Sequence, residues 1–247
     1  MGRLRPAVFP VLALALAAAE AAAAPVAVRC LTEPVADVDM STIVPGTVAI
    51  IHFDEGAFVE RGALLLELDS RIEQLDIERR AVLVETLRAS LDRSEQLLLT
   101  TSSISMEQVE ETRGQHRVAA IELELARETL ERRRIKAPIT GIMTDLLIEV
   151  GEYCEPPQVL LRLVDTRQFN CVANIEPQLA KQLRVGDPVA FTTENGGEAL
   201  RLPGEIVFIS PVVDPASGLL RIKALFDNEG DRIRPGEGGF IELAGRP

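Results

Sequence analysis

Two stretches of this chain resemble each other: PGTVAIIHFDEGAFVERGALLLELD at residues 45–69 and TGIMTDLLIEVGEYCEPPQVLLRLVD at residues 140–165. Two pairs of glycines fall into register when the stretches are aligned: Gly46 with Gly141, and Gly56 with Gly151. The alignment places one extra residue in the second copy, near Pro156-Pro157. Each copy is rich in leucine and β-branched residues and has glycines where turns require a positive φ. The repeat therefore predicts short strands from both copies that complete one small β-sandwich.

The segment between the two copies has a different composition. Residues 70–99 and 105–135 contain no proline and a single glycine, Gly114, and are rich in Glu, Arg, Leu and Ala. Ser70 and Ser105 are each followed three residues later by Glu or Gln, which is the pattern of a capping box. These features predict two helices, each roughly 45 Å long. Because the linker between them is short, the helices must fold back as an antiparallel coiled-coil hairpin.

Residues that recur every seven positions predict the seam between the two helices. In the first helix the two heptad positions are Leu68, Leu75, Val82 and Ala89, and Ile72, Arg79, Thr86 and Arg93. In the second helix they are Val109, His116, Leu123 and Leu130, and Thr112, Ala119 and Ala126. Such a seam is thin, so most of the surface of these long helices must face water or a partner.

After Asp165 the sequence becomes a series of short strand-like runs separated by turn residues. The turn signals are Asn195-Gly196-Gly197, Asp227-Asn228-Glu229-Gly230 and Pro235-Gly236. The even spacing of the strand-like runs, together with these turn signals, predicts a small antiparallel β-barrel. Residues 26–40, which precede the first repeat, are expected to supply one more strand. The sequence thus predicts a mostly β fold with one α-helical hairpin.

The composition argues against nucleic-acid binding and against most enzyme classes. Basic residues number 26 and acidic residues 38, and the resulting net charge of −12 opposes binding to a phosphate backbone. The chain has no GxSxG, HExxH or Walker-type motif, and we expect His52 in a strand and His116 in the helical seam. We interpret Arg132-Arg133-Arg134 as structural. No catalytic residue, cofactor, metal site or nucleic-acid partner is predicted.

The amino-terminal residues have the features of a secretory signal peptide. Arg3 and Arg5 precede a mostly apolar run and an alanine-rich stretch that suits signal peptidase. The run is too short to span a bilayer as a helix. We therefore expect cleavage near Ala23 and export of the mature chain.

The three cysteines, Cys30, Cys154 and Cys171, show no CxxC spacing. Three cysteines cannot all pair within one exported chain, so either one disulfide forms or none does. A disulfide between Cys30 and Cys171 requires that their strands be neighbours. The sequence does not choose among the three pairings, and small buried hydrophobic side chains are the other interpretation of all three cysteines.

In this order, the parts of the chain resemble the periplasmic adaptor, or membrane fusion, proteins of bacterial efflux and secretion systems, the hemolysin-D-like group. The resemblance rests on DEGAFVERGALLLELD, IKAPITGIMTDLLIEVGEYCEPPQVLLRLVD, the hairpin between them, and GEIVFISPVVDPASGLLRIKALFDNEGDRIRPGEGGF. It implies a lipoyl-like (biotinyl-like) β-sandwich that is split by the hairpin, together with the barrel. Its implied function is that of a non-catalytic adaptor that links an inner-membrane pump to an outer-membrane channel.

The resemblance also implies the location, the partners and the domains. The chain is expected in the periplasm, associated with the cell envelope, and in a homo-oligomeric ring, of which a hexamer is one form. The implied pump is of the resistance-nodulation-division type, with an ATP-driven export system as the alternative. The implied domains are a signal peptide (1–23), a barrel (26–40 and 168–247), a lipoyl-like domain (41–69 and 136–167) and a hairpin (70–135). Many relatives continue into a membrane-proximal domain after the barrel, and no such domain is expected here. We therefore expect either that the barrel itself contacts the pump or that the partner differs from the usual one.

The family carries the pattern Arg-x3-Leu-x6-Ser at the hairpin tip, where it contacts the outer-membrane channel. Leu98 and Ser105 match this pattern, with six residues between them. The arginine position falls on Ser94, and the nearest arginine is Arg93, one residue away. A shift of one residue turns a helical side chain by about 100°. With Arg93 taken as the nearest arginine to the pattern, the resemblance implies a channel-binding site formed by Arg93, Leu98 and Ser105.

A lipoyl or biotinyl carrier domain is the remoter alternative. Such a domain needs a modifiable lysine in the turn between its two halves, where this chain has the helical insertion. The only lysines are Lys136, Lys181 and Lys223. Of these, Lys136 lies directly after the insertion, beside Ala137-Pro138.

Overall fold

The structure is a computed structural model that describes residues 26–101, 103–193 and 201–243. The expected signal peptide (1–23) and the turn at residues 195–197 lie outside the described residues. In chain order the elements are β1 (Val26–Ser41), β2 (Gly46–Ile51), β3 (Phe58–Val59), β4 (Leu64–Leu68), α1 (Arg71–Thr101), α2 (Met106–Glu131), β5 (Arg134–Lys136), β6 (Gly141–Leu146), β7 (Tyr153–Cys154), β8 (Val159–Ile175), α3 (Pro177–Ala180), β9 (Pro188–Thr193), β10 (Arg201–Ile209), β11 (Leu220–Asp227) and β12 (Gly238–Leu243).

The chain divides into two compact units. One comprises Met1–Leu31, Cys171–Ala224 and Gly238–Pro247, and the other comprises Thr32–Asn170 and Leu225–Glu237. The second unit contains the repeat and both long helices. No helix in the described part of the chain is long and apolar enough to cross a bilayer.

Both copies of the repeat contribute to one β-sandwich. One sheet has the strand order β5-β4-β2-β7, while β3 and β6 pair in the other sheet and continue onto β8. The core between the sheets is almost inaccessible to solvent and includes Val48, Val59, Leu65, Leu66, Leu68, Met143, Leu160, Leu161 and Leu163. The predicted sandwich of two copies is therefore present.

The two copies adopt the same backbone hydrogen-bond scheme. In the first matched pair, the Gly56 N–H donates to the Met143 carbonyl (2.7 Å), and the Gly151 N–H donates to the Val48 carbonyl (2.8 Å). In the second pair, the His52 N–H donates to the Leu65 carbonyl (2.8 Å), and the Leu147 N–H donates to the Leu160 carbonyl (2.8 Å). The donors in each pair are separated by the same number of residues as Gly46 and Gly141. This match extends beyond Pro156-Pro157, so the extra residue predicted there was wrong. Arg61-Gly62 and Pro156-Pro157 occupy equivalent positions in the same turn. Because their residue types differ, the sequence comparison did not align them.

The four aligned glycines fall into two kinds. Gly56 and Gly151 have φ of +84° and +90°, a conformation that side-chain-bearing residues rarely adopt. Gly46 and Gly141 instead begin strands β2 and β6, and they allow close packing. A Cβ atom on Gly141 would lie 2.5 Å from the carbonyl oxygen of Val164. Among these aligned glycines, each copy thus has one for a turn and one for the close approach.

The helical hairpin is inserted between β4 and β5, which are neighbours in one sheet. The chain can therefore leave the sandwich and return to it at adjacent positions. At the start of α1, the Arg71 N–H donates to the Asp69 carboxylate at 3.2 Å. The capping box predicted at Ser70 was wrong, because its hydroxyl accepts from the Gln74 side chain and Glu73 pairs with Arg133 instead.

Six strands form a closed barrel. Their order is β1-β12-β9-β10-β11-β8, and β1 also pairs with β8, which closes the circle. The pairs β1–β12, β12–β9 and β9–β10 are antiparallel, and the first has Val26 opposite Leu243. Buried side chains inside these strands include Phe191, Ile206, Ile222 and Ile241. The predicted small barrel is confirmed, and β1 supplies one of its strands.

Candidate functional site

The inner face of α2 consists of the residues that its heptads predict. Val109, Ala119, Leu123 and Ala126 are buried. The remaining members of the predicted seam, Thr112, His116 and Leu130, are half-buried. The predicted seam of α2 is therefore confirmed.

The inner face of α1 is a different row from the predicted one. This row is Ile77, Val84, Leu91 and Leu98, of which Leu91 is only 4% exposed. The predicted seam residues Leu75 and Val82 are each 59% exposed. They precede the true seam residues by two positions, which is about 200° around the helix. The prediction was wrong because α1 carries two apolar rows with the same seven-residue period, and packing on α2 buries only one of them.

Both helices leave apolar side chains on their outward faces. On α1 these include Leu75 and Val82, and on α2 they include Val118, Ile121 and Leu125, each more than half exposed. A short row on each side of the hairpin is therefore available for contact with another surface.

The two outward rows lie at the same height along the hairpin. The Arg80 Nη1 and Glu122 Oε2 atoms are 2.8 Å apart and join the two helices at one level. Val82 and Ile121 lie within two residues of this ion pair along their helices. Because a helix rises about 1.5 Å per residue, the two rows are nearly level, on opposite sides of the hairpin.

The tip of the hairpin carries exposed leucines. Leu98 is half-buried in the seam, whereas Leu99 is 85% exposed and Leu97 is also exposed. Arg93 is exposed, and its side chain forms no ion pair with any described residue. Arg93 and Leu98 are five residues apart, about 140° around the helix, so these two do not share a face. Leu97, four residues after Arg93, does share its face. Sequence reasoning missed Leu97 and Leu99, although the run Leu97-Leu98-Leu99 was a signal for them.

Ser105 is the N-cap of α2. Its hydroxyl accepts a hydrogen bond from the Gln108 N–H at 3.2 Å, and the Gln108 side chain accepts one from the Ser105 N–H at 3.0 Å. The capping box predicted here is confirmed. The hydroxyl of Ser105 can still donate its own proton, because capping uses it only as an acceptor.

Carboxylates hold the basic residues at the base of the hairpin. The ion pairs are Arg132 with Glu128 (3.4 Å), Arg133 with Glu73 (2.6 Å), Arg134 with Glu131 (2.9 Å) and Lys136 with Glu131 (2.7 Å). Lys136, and after it Arg134, holds the pKa of the Glu131 carboxyl below its usual range. All three arginines of the predicted structural run thus have partners within the chain.

The described residues contain no group of three or more His, Cys, Asp or Glu side chains arranged to hold a metal ion. His52 follows β2 rather than lying within it, and its Nε2 atom is 2.9 Å from the Glu67 carboxylate. His116 lies in α2, half-buried in the seam as expected. The exposed apolar side chains of the hairpin are the features that stand out as candidate binding surfaces.

Solved membrane fusion proteins share this fold. A MacA-MexA chimeric protein that contains the Pseudomonas aeruginosa MexA alpha-hairpin domain matches with a TM-score of 0.78 at 18% identity, over 90% of this chain and 81% of the other. The membrane fusion protein Spr0693 from Streptococcus pneumoniae R6 matches with a TM-score of 0.73 at 17% identity, over 90% of this chain and all of the other. These matches confirm the fold class: mostly β, with a lipoyl-like sandwich split by a hairpin and a small barrel.

Curated proteins of efflux systems are similar in sequence. Multidrug resistance protein MdtA of Xenorhabdus bovienii is 28% identical over 226 residues, which is 83% of this chain and 54% of MdtA. The toluene efflux pump periplasmic linker protein TtgG of Pseudomonas putida is 25% identical over 198 residues, 74% of this chain and 50% of TtgG. The chain thus spans about half the length of the curated relatives it matches.

A split sandwich, an inserted hairpin and a closed barrel together define the class of membrane fusion adaptors. Residues 36–166 match the family model described as RND MFP, barrel-sandwich hybrid domain. This match covers more than half of the chain, and the chain therefore belongs to the RND membrane fusion protein family.

Proposed function

We propose that this chain is a non-catalytic, periplasmic adaptor subunit that links an inner-membrane pump of the resistance-nodulation-division type to an outer-membrane channel. In this proposal the barrel (26–40 and 168–247), the lipoyl-like domain (41–69 and 136–167) and the hairpin (70–135) act as separate modules. The observation that carries the proposal is the family match over the split sandwich, together with the exposed apolar surfaces of the hairpin. Relatives named as efflux linkers, such as TtgG, support it.

Capture of the partners from living cells tests this function. The full chain is cross-linked in the envelope of the cells that carry its gene, purified under denaturing conditions, and the attached proteins are identified by mass spectrometry. We expect one multi-span pump and one outer-membrane channel. Recovery of an ATP-driven transporter in place of the expected pump would favour the alternative export system, and recovery of neither membrane protein would overturn the proposal.

We further propose that the hairpin tip binds the channel through Arg93, Leu98 and Ser105. Arg93 is exposed and has no ion pair among the described residues, which supports this role. The Ser105 hydroxyl supports it as well, because capping uses this group only as an acceptor and leaves its proton available for donation. The exposed Leu99 adds apolar surface that the channel can bury.

Charge reversal at the tip separates this site from the rest of the hairpin. Arg93→Glu and Leu99→Asp are expected to lower capture of the channel by roughly tenfold each, because each variant places a negative charge that lacks a partner in the proposed interface. Arg71→Glu is the matched control, since Arg71 is likewise exposed but lies at the opposite end of α1. Equal losses in all three variants, or no loss in any, would count against the tip.

We propose in addition that copies of this chain associate side by side into a ring through the outward rows of the hairpin. The row with Val82 and the row with Ile121 face opposite sides at the same height, which suits contact between unlike faces of neighbouring copies. Contacts between unlike faces generate closed rings when the rotation closes. Parallel hairpins would then bury both rows.

Two complementary variants test whether unlike faces meet. Val82→Glu disables only the α1 face and Ile121→Glu only the α2 face, so neither variant alone should assemble into a ring. An equal mixture keeps one intact pair of faces and should stop at a heterodimer, measured by sedimentation velocity or native mass spectrometry. Ring formation by either variant alone, or failure of the mixture to form any complex while the unmodified chain assembles, would overturn this arrangement.

The carrier alternative predicts a covalent group on a lysine. Lys136 lies 2.7 Å from Glu131, at the base of the hairpin rather than in an exposed turn. The intact mass of the protein from its own cells is expected to show no lipoyl or biotinyl addition. An added mass at Lys136 would revive the carrier function.

A further inference from the structure

Two cysteines lie on the paired strands that close the barrel, and their side chains interact. Cys30 lies on β1 and Cys171 on β8, and these two strands pair with each other. Both thiols are buried, with 5% of Cys30 and none of Cys171 exposed. The third cysteine, Cys154, belongs to the other compact unit, where its thiol donates to the Gly46 carbonyl at 3.3 Å. The Cys154 thiol therefore already has a hydrogen-bond partner within its own unit.

The local geometry suits a covalent bond between Cys30 and Cys171. Residues that face each other on neighbouring strands have Cα atoms roughly 4.5–5.5 Å apart, within the range that a disulfide bridges. The two side chains interact directly, and this contact holds the pKa of Cys30 below its usual value. Burial, and then the neighbouring Cys30, raise the pKa of Cys171. Cys30 is accordingly the better nucleophile of the pair.

We propose that Cys30 and Cys171 form a disulfide that locks the closing seam of the barrel, while Cys154 remains a free thiol. The reaction is exchange with a disulfide-bearing oxidant. The Cys30 thiolate attacks one sulfur of that oxidant and releases the other as a thiol, and Cys171 then displaces the second sulfur. The two cysteines lose two electrons and two protons, and the oxidant gains both as two thiols.

The position of this bond gives it a structural effect. The pairing of β1 with β8 is the one that converts an open six-stranded sheet into a closed barrel. A covalent link there prevents the two strands from separating, and it also encloses all the residues between positions 30 and 171 in one loop. A cross-link that closes so long a loop restricts the unfolded chain strongly. This inference does not depend on the adaptor function.

Counting the thiols of the full chain tests the proposal. The protein is equilibrated with a mixture of oxidised and reduced glutathione, then denatured in the presence of N-ethylmaleimide. We expect one maleimide per chain, on Cys154, and a linked pair of peptides that contain Cys30 and Cys171. Three maleimides per chain, or a linkage that includes Cys154, would overturn the proposal, as would a bond found only between chains.

Thermal unfolding with and without reductant supplies a second measurement. Reduction of the unmodified protein should lower its melting temperature by about 5–10 °C. Cys154→Ala should keep this difference, whereas the double variant Cys30→Ala with Cys171→Ala should lose it. A reductant effect of the same size in the double variant would contradict the disulfide. If the double variant does not fold, the peptide map of the unmodified chain decides alone.

Discussion

The sandwich and the hairpin place the same residue types in opposite environments. In the sandwich, Leu65 and Leu160 are completely buried at equivalent positions of the two copies. In the hairpin, Leu75 and Val82 are more than half exposed, although they recur as regularly as seam residues do. The sandwich therefore completes its own core, whereas the hairpin retains apolar surface that the other described residues leave exposed.

The largest expected effect concerns the symmetry of the sandwich. Leu65→Ala and Leu160→Ala should each lower the free energy of unfolding by about 2–5 kcal/mol, because each removes a fully buried side chain from one closed core. Chemical denaturation of the compact unit that contains the sandwich measures both values. Both costs should fall within this range, since the two leucines occupy equivalent positions of the shared hydrogen-bond scheme. A cost near zero for either leucine would break the equivalence of the copies.

The sequence predicted the sandwich well because the repeat carries its own internal check. Glycines at matching positions identify equivalent turns even when other residues differ, as Gly56 and Gly151 do. The wrongly predicted insertion shows where matching glycines are not enough. Arg61-Gly62 and Pro156-Pro157 have no residue type in common and still make the same turn. Hydrogen-bond partners, which the sequence does not contain, reveal the equivalence.

The hairpin was harder to predict, for a different physical reason. In α2 the inner row repeats over three heptads, from Val109 to Leu130, whereas the outward row repeats only once, from Val118 to Leu125, so periodicity identified the inner face. In α1 two rows compete, and the choice between them depends on the partner helix, which no local pattern records. For the same reason the tip leucines Leu97 and Leu99 were missed, because their exposure depends on where α1 ends.

A smaller effect should separate the inner and outer faces of α2. Leu123→Ala should cost about 2–3 kcal/mol, because Leu123 is buried against α1. Leu125→Ala, two residues away and exposed, should change stability by less than about 0.5 kcal/mol. Helical signal in circular dichroism during urea unfolding measures both. Equal costs would mean that Leu125 is covered in solution, and dilution of the protein would then show whether a second copy covers it.

The cap at the hairpin tip should contribute less than the seam. Ser105→Ala removes the acceptor for the Gln108 N–H and should cost about 1 kcal/mol, confined to the first turn of α2. Ser105→Asn retains a capping side chain and should recover most of that loss. Hydrogen exchange of the first amides of α2 reports this local effect. If the alanine variant loses channel capture while the asparagine variant keeps it, the role of Ser105 at the channel is through the cap.

The smallest effect concerns a surface ion pair on the sandwich unit and its pH dependence. The Arg162 guanidinium donates to both carboxylate oxygens of Asp37, at 2.7 and 2.6 Å, and also faces Asp39 and Asp145 at 3.9 and 3.8 Å. The hydrogen bond with Arg162 holds the pKa of Asp37 below its usual value. Both side chains are more than a third exposed, and exposed pairs contribute roughly 0–1 kcal/mol.

The sign of the pH effect follows from the lowered pKa of Asp37. A carboxyl whose pKa is lower in the folded chain binds its proton more weakly there than in the unfolded chain, whose ordinary value is about 3.9. Its stabilisation is therefore complete above that value and is lost as the pH falls through the folded pKa. The difference in melting temperature between the unmodified protein and Arg162→Gln should be small and constant near neutral pH and should shrink below about pH 4. A melting-temperature difference that persists or grows in acid would mean that Arg162 stabilises the sandwich by packing of its aliphatic stem. Arg162→Gln should then cause the same difference in an Asp37→Asn background, and this result would identify packing as the origin.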